Sequence, residues 1–140
     1  LPSSLLRYVC KFKDHERIAL VTDSMRAAGQ NVSKSFLGSL SDPLPVIIED
    51  GVCKLADRSA LAGSIATMDR LIRTMVQKAD IPLDDALRMI SETPSKIMKV
   101  YDRKGSLEKG KDADIIILDD ELNLRQVWQM GKIVEGTDKL

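Results

Sequence analysis

The first apolar positions of the chain, Leu5, Leu6, Val9 and Phe12, recur at helical spacing behind Ser3 and Ser4. Residues 2–13 are therefore predicted to form an amphipathic helix. A polar run from Lys13 to Arg17 follows, and then Ile18-Ala19-Leu20-Val21, apolar without interruption. That run is too short for a free-standing helix and is predicted as a strand buried on both faces, as in a parallel sheet. Thr22-Asp23 closes it. Folds built on parallel strands bind ligands beyond the carboxyl ends of those strands, which makes Asp23 a candidate for chemistry. The same two residues also suit the cap of a following helix.

Further along, the pattern changes period several times. Residues 30–43 are polar and end in Pro43 and Pro45, so they read as a loop long enough to serve as a lid or site wall. Val46-Ile47-Ile48-Glu49 and Val52-Cys53-Lys54-Leu55 flank Asp50-Gly51. An Asp-Gly pair between two apolar runs predicts a hairpin with a type I′ turn. Ser64 is predicted to cap a helix carrying Ile65, Met68, Leu71, Ile72 and Met75 on one face. Asp80-Ile81-Pro82 opens another, with Leu83, Ala86, Leu87 and Ile90 facing inward up to Glu92. Thr93-Pro94 begins a short one over Ile97, Met98 and Val100. Met68, Met75 and Met89 read as core filler. Glycine turns after Asp102 lead to the strand Ile115 to Leu118. Residues Leu124 to Met130 and Lys132 to Val134, hinged at Met130-Gly131, complete a small antiparallel sheet with Trp128 as a packing residue.

Composition narrows the function classes. The 140 residues are 44% hydrophobic, enough for a core, and Lys+Arg 21 balances Asp+Glu 21. Such a chain lacks the basic footprint of a nucleic-acid or anionic-membrane binder. No apolar run approaches the roughly 20 residues that span a bilayer. No charged segment followed by an apolar one stands at the start, so a cytoplasmic protein is expected. Cys10 and Cys53 are far apart and fit reduced thiols. His15, the single histidine, lies in a polar run without partners at ligand spacing and is expected at the solvated surface. No repeat and no glycine-rich phosphate loop is present. Leu61-Ala62-Gly63 precedes a predicted helix; it reads either as a tight loop or as small residues that let backbone approach a ligand.

Several of these stretches together resemble a known family. Gly105-Ser106-Leu107, with Gly110-Lys111-Asp112-Ala113-Asp114 running into Ile115-Ile116-Ile117-Leu118-Asp119, is similar to the end of amidohydrolase-superfamily enzymes. Joined to Leu20-Val21-Thr22-Asp23-Ser24-Met25-Arg26-Ala27-Ala28-Gly29, Leu55-Ala56-Asp57, Leu61-Ala62-Gly63-Ser64, Ala86-Leu87-Arg88-Met89 and Asp102-Arg103-Lys104-Gly105, it resembles the N-acetylglucosamine-6-phosphate deacetylase family. The resemblance covers nearly the whole chain. It implies an α/β fold: the terminal portion of a metal-dependent (β/α)8 TIM-barrel hydrolase, last strand and closing helices, plus part of a small antiparallel β-sandwich domain. The corresponding segments would be a last barrel αβ unit with site loop at 1–43, a β-hairpin at 44–57, closing helices at 58–101, and returning strands at 102–140.

The same resemblance implies an activity, hydrolysis of the acetamide of an amino-sugar phosphate. Asp23 matches the catalytic aspartate, which takes a proton from a metal-bound water and gives one to the leaving amine. Leu61, Ala62 and Gly63 match the segment lining the sugar-phosphate pocket. A divalent cation, zinc or iron, is implied for the full-length parent and a homo-oligomer is expected. The family's metal ligands, a glutamate and two histidines, have no counterpart here, and His15 matches none of its histidines. A complete barrel takes about 250 residues. The chain is accordingly expected to be a carboxy-terminal part that carries no catalytic metal and is inactive alone. The competing readings are a dihydroorotase-like or dihydropyrimidinase-like enzyme, and a non-catalytic structural module.

Overall fold

The computed structural model describes residues 1–137. The expected segment boundary at residue 140 lies outside the described residues. The class is α/β; the described residues form two three-stranded antiparallel sheets, with the helices of residues 68–97 lying between them in chain order. Of the described residues, 1–20 and 69–137 make up one compact unit, and residues 21–68 another.

The smaller unit is built on the expected hairpin. Strand β2 (Leu44–Glu49) pairs antiparallel with β3 (Val52–Leu55), Glu49 opposite Val52. Asp50 and Gly51 between them both take positive φ, 54° and 73°. A type I′ turn demands that geometry of both central residues, which is why Asp-Gly encodes it. The stretch expected to be loop holds a third strand, β1 (Lys34–Leu37), on the outer edge of β2 with Leu37 opposite Leu44. Its four residues carry no strong pattern of their own; the partner strand selects them. One face of this sheet covers a core of Met25, Ala27, Val46, Cys53 and Ala62, with Leu37, Ile48, Leu55 and Ile65 packed around it.

The larger unit begins with α1 (Ser3–Phe12), as expected. Leu6 and Cys10 turn toward a core of Met75, Ala79, Ile81, Ala86 and Met89, joined there by Ile18, Leu20 and Val76. Tyr8 and Phe12 remain exposed, their rings 4.7 Å apart. Helix α2 (Met68–Arg73) runs on into a π-helical stretch at Thr74–Lys78. It starts at Met68 rather than behind Ser64, because the Ser64 carbonyl that would open the helical ladder accepts from the Met25 N–H in a bridge, 2.8 Å. Met68 is exposed, whereas Met75 and Met89 fill the core as expected.

Helix α3 (Leu83–Leu87) passes through a second π-helical stretch, Arg88–Glu92, into α4 (Thr93–Ile97). Glu92 and Thr93 both have helical backbone, so the expected break there is a continuous helix with a bulge. Pro94, which has no N–H to offer the carbonyl four residues back, sits just after that bulge. Ala86 and Met89 point inward while Leu83, Leu87, Ile97 and Met98 are exposed, which corrects the inward face expected for the leucines. Loosening to a π-turn also rotates the set of residues facing the core.

The expected strand at Ile18 to Val21 is not a strand. Its backbone bond from the Leu20 N–H goes to the Met89 carbonyl, 2.9 Å, inside the second π-helical stretch. No ladder partner for it exists among the described residues, and Val21 is 72% exposed rather than buried. The closing sheet matches expectation. Strand β4 (Ile115–Leu118) pairs with β5 (Leu124–Gln129), and β5 with β6 (Lys132–Ile133) through a turn at Met130-Gly131. Trp128 lies half-buried in β5 and donates its indole N–H to Gln126, 2.8 Å.

Candidate functional site

Asp23 and the Leu61 to Gly63 turn, far apart in sequence, meet in the smaller unit. The path runs outward from the hairpin. Leu61 forms an antiparallel bridge with Lys54, and the Ala62 N–H donates to the Cys53 carbonyl, 2.9 Å. One residue later the chain turns through Gly63 at φ +73°. A Cβ there would meet Met25 and Leu37 side chains only at ordinary contact distances, 3.6 and 3.8 Å. The left-handed backbone, not crowding, is therefore what calls for glycine. Beyond it Ser64 pairs with Ser24 in a parallel bridge: the Ser64 N–H donates to the Asp23 carbonyl, 3.2 Å, and the Met25 N–H to the Ser64 carbonyl, 2.8 Å.

Asp23 is exposed and has φ +49°, a conformation uncommon for residues with a side chain. Its backbone carbonyl is bonded to the first residue after the Gly63 bend, Ser64. Leu61 is 73% exposed. Ala62 is 3% exposed, its methyl group sunk in the core and its N–H already bonded, so a ligand would meet that residue through its carbonyl or not at all. Gly63 is exposed. Beneath the bend, the Cys53 thiol lies 3.1 Å from the Met25 sulfur, and burial raises its pKa. It is a packed, neutral thiol.

Charged groups fasten the same hairpin from outside. Glu49 accepts from Lys54 at 2.9 Å and from Arg58 at 3.1 and 3.3 Å. The Arg58 and Lys54 cations pull the Glu49 carboxyl down to about 2. Asp57 is likewise held below the ordinary carboxylate range by the Ser59 amide and hydroxyl. Arg26 donates to the Gly38 carbonyl, 2.6 Å, which ties the turn after Asp23 to the end of β1.

His15 departs from expectation. It is half-buried, its Nδ1 2.9 Å from the Asp85 carboxylate, joining the turn after α1 to α3. Cys10 and Cys53 are both free. Among the described residues no group of three or more His, Cys, Asp or Glu is placed to hold a metal ion. The described side chains of this chain thus offer no ligand set for the divalent cation implied by resemblance. No helix among the described residues is long and apolar enough to cross a membrane. The sequence reading passed over Ser24 and took Ser64 for a helix cap; the pairing of the two has no signature in spacing.

A deacetylase acting on N-acetylglucosamine 6-phosphate from Lysinibacillus sphaericus is 35% identical over 123 residues, 88% of this chain and 30% of its own length. An N-acetylgalactosamine-6-phosphate deacetylase from Escherichia coli O157:H7 is 34% identical over 118 residues, 84% of this chain and 30% of its own. The crystal structure of N-acetylglucosamine-6-phosphate deacetylase from Pasteurella multocida superposes with a TM-score of 0.85 at 28% identity, over 96% of this chain and 34% of that one. The chain spans about 30% of the length of each of these two curated relatives. A sequence model of the amidohydrolase family matches residues 12–134, which include Asp23, the Leu61 to Gly63 bend and both sheets. The chain belongs to the amidohydrolase family.

Proposed function

We propose that these residues act within a longer polypeptide that hydrolyses the acetamide of N-acetylglucosamine 6-phosphate to glucosamine 6-phosphate and acetate, with Asp23 as its proton-transfer group. The observation that carries this reading is that Asp23 is exposed and its backbone carbonyl is bonded to the Ser64 N–H at the end of the Gly63 bend. An amide departs as an amine only if its nitrogen is protonated, and a positioned carboxylic acid can deliver that proton. Asp23 is free of any ion pair or hydrogen bond to its side chain among the described contacts of the smaller unit, so its carboxyl group is available for that exchange. Exposed Leu61 supplies an apolar surface near it.

The divalent cation, zinc or iron, finds its ligands in this reading on the rest of the longer polypeptide, together with the last-strand position of residues 18–21 in a barrel. Two free cysteines suit a reducing compartment, the cytoplasm. A second reading has a specific observation behind it. Relatives named for the gluco and the galacto sugar match at 35% and 34% identity, so the C4 epimer is an equal candidate substrate.

Turnover of both epimers by the longer enzyme, measured as acetate release, tests the assignment, with cyclic amides as the control for a dihydroorotase-like activity. Asp23→Asn keeps size and hydrogen bonding but removes the proton carrier, and is expected to lower kcat by about a hundredfold or more with KM little changed. Wild-type turnover in that variant ends the role of Asp23.

A further inference from the structure

We propose that Ser24 is a positioning residue for Asp23: its hydroxyl locks the single parallel bridge that holds the Asp23 backbone against Gly63-Ser64. The inference rests on the reading of Asp23 as the proton-transfer group and adds a residue to it. Asp23 sits at φ +49°, a left-handed conformation uncommon for residues with a side chain, which surrounding bonds help to hold. The backbone restraint is one bridge wide, Ser24 against Ser64, with no ladder continuing from it. An isolated bridge opens more readily than a strand pair, since no neighbouring bond must break with it.

Ser24 supplies the missing neighbour. Its Oγ donates to the Ala66 carbonyl, while the Ala66 N–H donates to the Ser64 Oγ at 3.0 Å. With the Ser64 N–H on the Asp23 carbonyl and the Met25 N–H on the Ser64 carbonyl, the bonds close a ring around the bridge. Residues 23–25 can leave 64–66 only by breaking several of them together. Removing the hydroxyl opens the ring at one point and lets Asp23 relax toward negative φ, which swings its carboxylate. Threonine keeps the hydroxyl and should keep the ring.

The test has two arms. In the 140-residue chain, amide hydrogen exchange at Ser64 and Met25 is expected to rise about threefold to tenfold in Ser24→Ala, the size of one neutral hydrogen bond, and to return toward wild type in Ser24→Thr. The Ala62 amide, bonded to Cys53 in the hairpin, should not change. In the longer enzyme Ser24→Ala should lower kcat by a similar factor with KM within about twofold, again restored by threonine. Unchanged exchange at Ser64 overturns the proposal, as does a rise at Ala62 in step with it, which would make Ser24 a general stability residue. If the wild-type longer enzyme releases no acetate from either sugar, the deacetylase reading fails by itself and the exchange arm still decides the clamp.

Discussion

Two stretches of nearly the same composition meet opposite fates in this molecule. Val46-Ile47-Ile48 in β2 is paired on both edges, by β1 and by β3, and Val46 is 1% exposed at the centre of its core. Ile18-Ala19-Leu20-Val21 has an extended residue at Ile18 but no strand partner among the described residues; its Ile18 and Leu20 amides donate to the His15 and Met89 carbonyls, and Val21 is 72% exposed. Apolar β-branched residues create a demand for strand partners without supplying them. In β2 the supply is local, a two-residue turn that returns the chain at once. For residues 18–21 no such device is adjacent, and the π-helical carbonyl of Met89 satisfies only the Leu20 amide.

The comparison can be broken by truncating the equivalent valines. Val46→Ala deletes two buried methyl groups and leaves a void, and is expected to cost about 2 to 3 kcal/mol from lost transfer energy plus cavity. Val21→Ala removes groups already in water and should stay within about 0.5 kcal/mol. Urea unfolding of both variants measures the difference. Equal costs would mean that residues 18–21 are buried in solution, against the arrangement described here.

A smaller effect is expected at Gly63, where the hairpin hands over to the Asp23 segment. Gly63→Val meets no close contact, so its cost is that of a β-branched residue at φ +73°, on the order of 1 to 2 kcal/mol. In the longer enzyme the same variant should raise KM more than it lowers metal content, because the added side chain presses on Met25 and Leu37 and shifts the bend whose next residue, Ser64, bonds the Asp23 backbone. Unchanged KM would return Leu61 to Gly63 to the status of an ordinary loop.

How much of this was readable beforehand follows from the same contrast. The hairpin and the closing sheet were legible because Asp50-Gly51 and Met130-Gly131 write their turns locally, all four residues taking positive φ. Helix α1 was legible from its period. Strand β1 was not, since Lys34 to Leu37 become a strand only through the edge that β2 offers. The direction of Leu83 and Leu87 was lost to the π-turns, which break the period on which a helical face is counted. The start of α2 was misplaced because Ser64 serves a bridge instead of a cap. At the site, resemblance singled out Asp23 and Leu61 to Gly63, but spacing could not bring them together. Their contact depends on a positive φ at Gly63 and on a bridge between serines from two distant segments.

The smallest effect concerns charge, which the hairpin has and residues 18–21 lack. Arg58 and Lys54 hold the Glu49 carboxyl at about 2, below its ordinary 4.5, so the folded state binds this proton less readily than the unfolded chain. The sign follows from linkage: the contribution is fully present above about pH 4.5 and is lost as pH falls toward 2. Glu49 stands at the surface end of the hairpin, where water and salt screen the pairs, so the loss is expected to be modest and to shrink at high ionic strength. Unfolding midpoints of wild type and Glu49→Gln should therefore differ near neutral pH and converge as the pH falls below 4.5. A difference that persists undiminished near pH 2 would mean that Glu49 acts by packing or hydrogen-bond geometry and not by its charge.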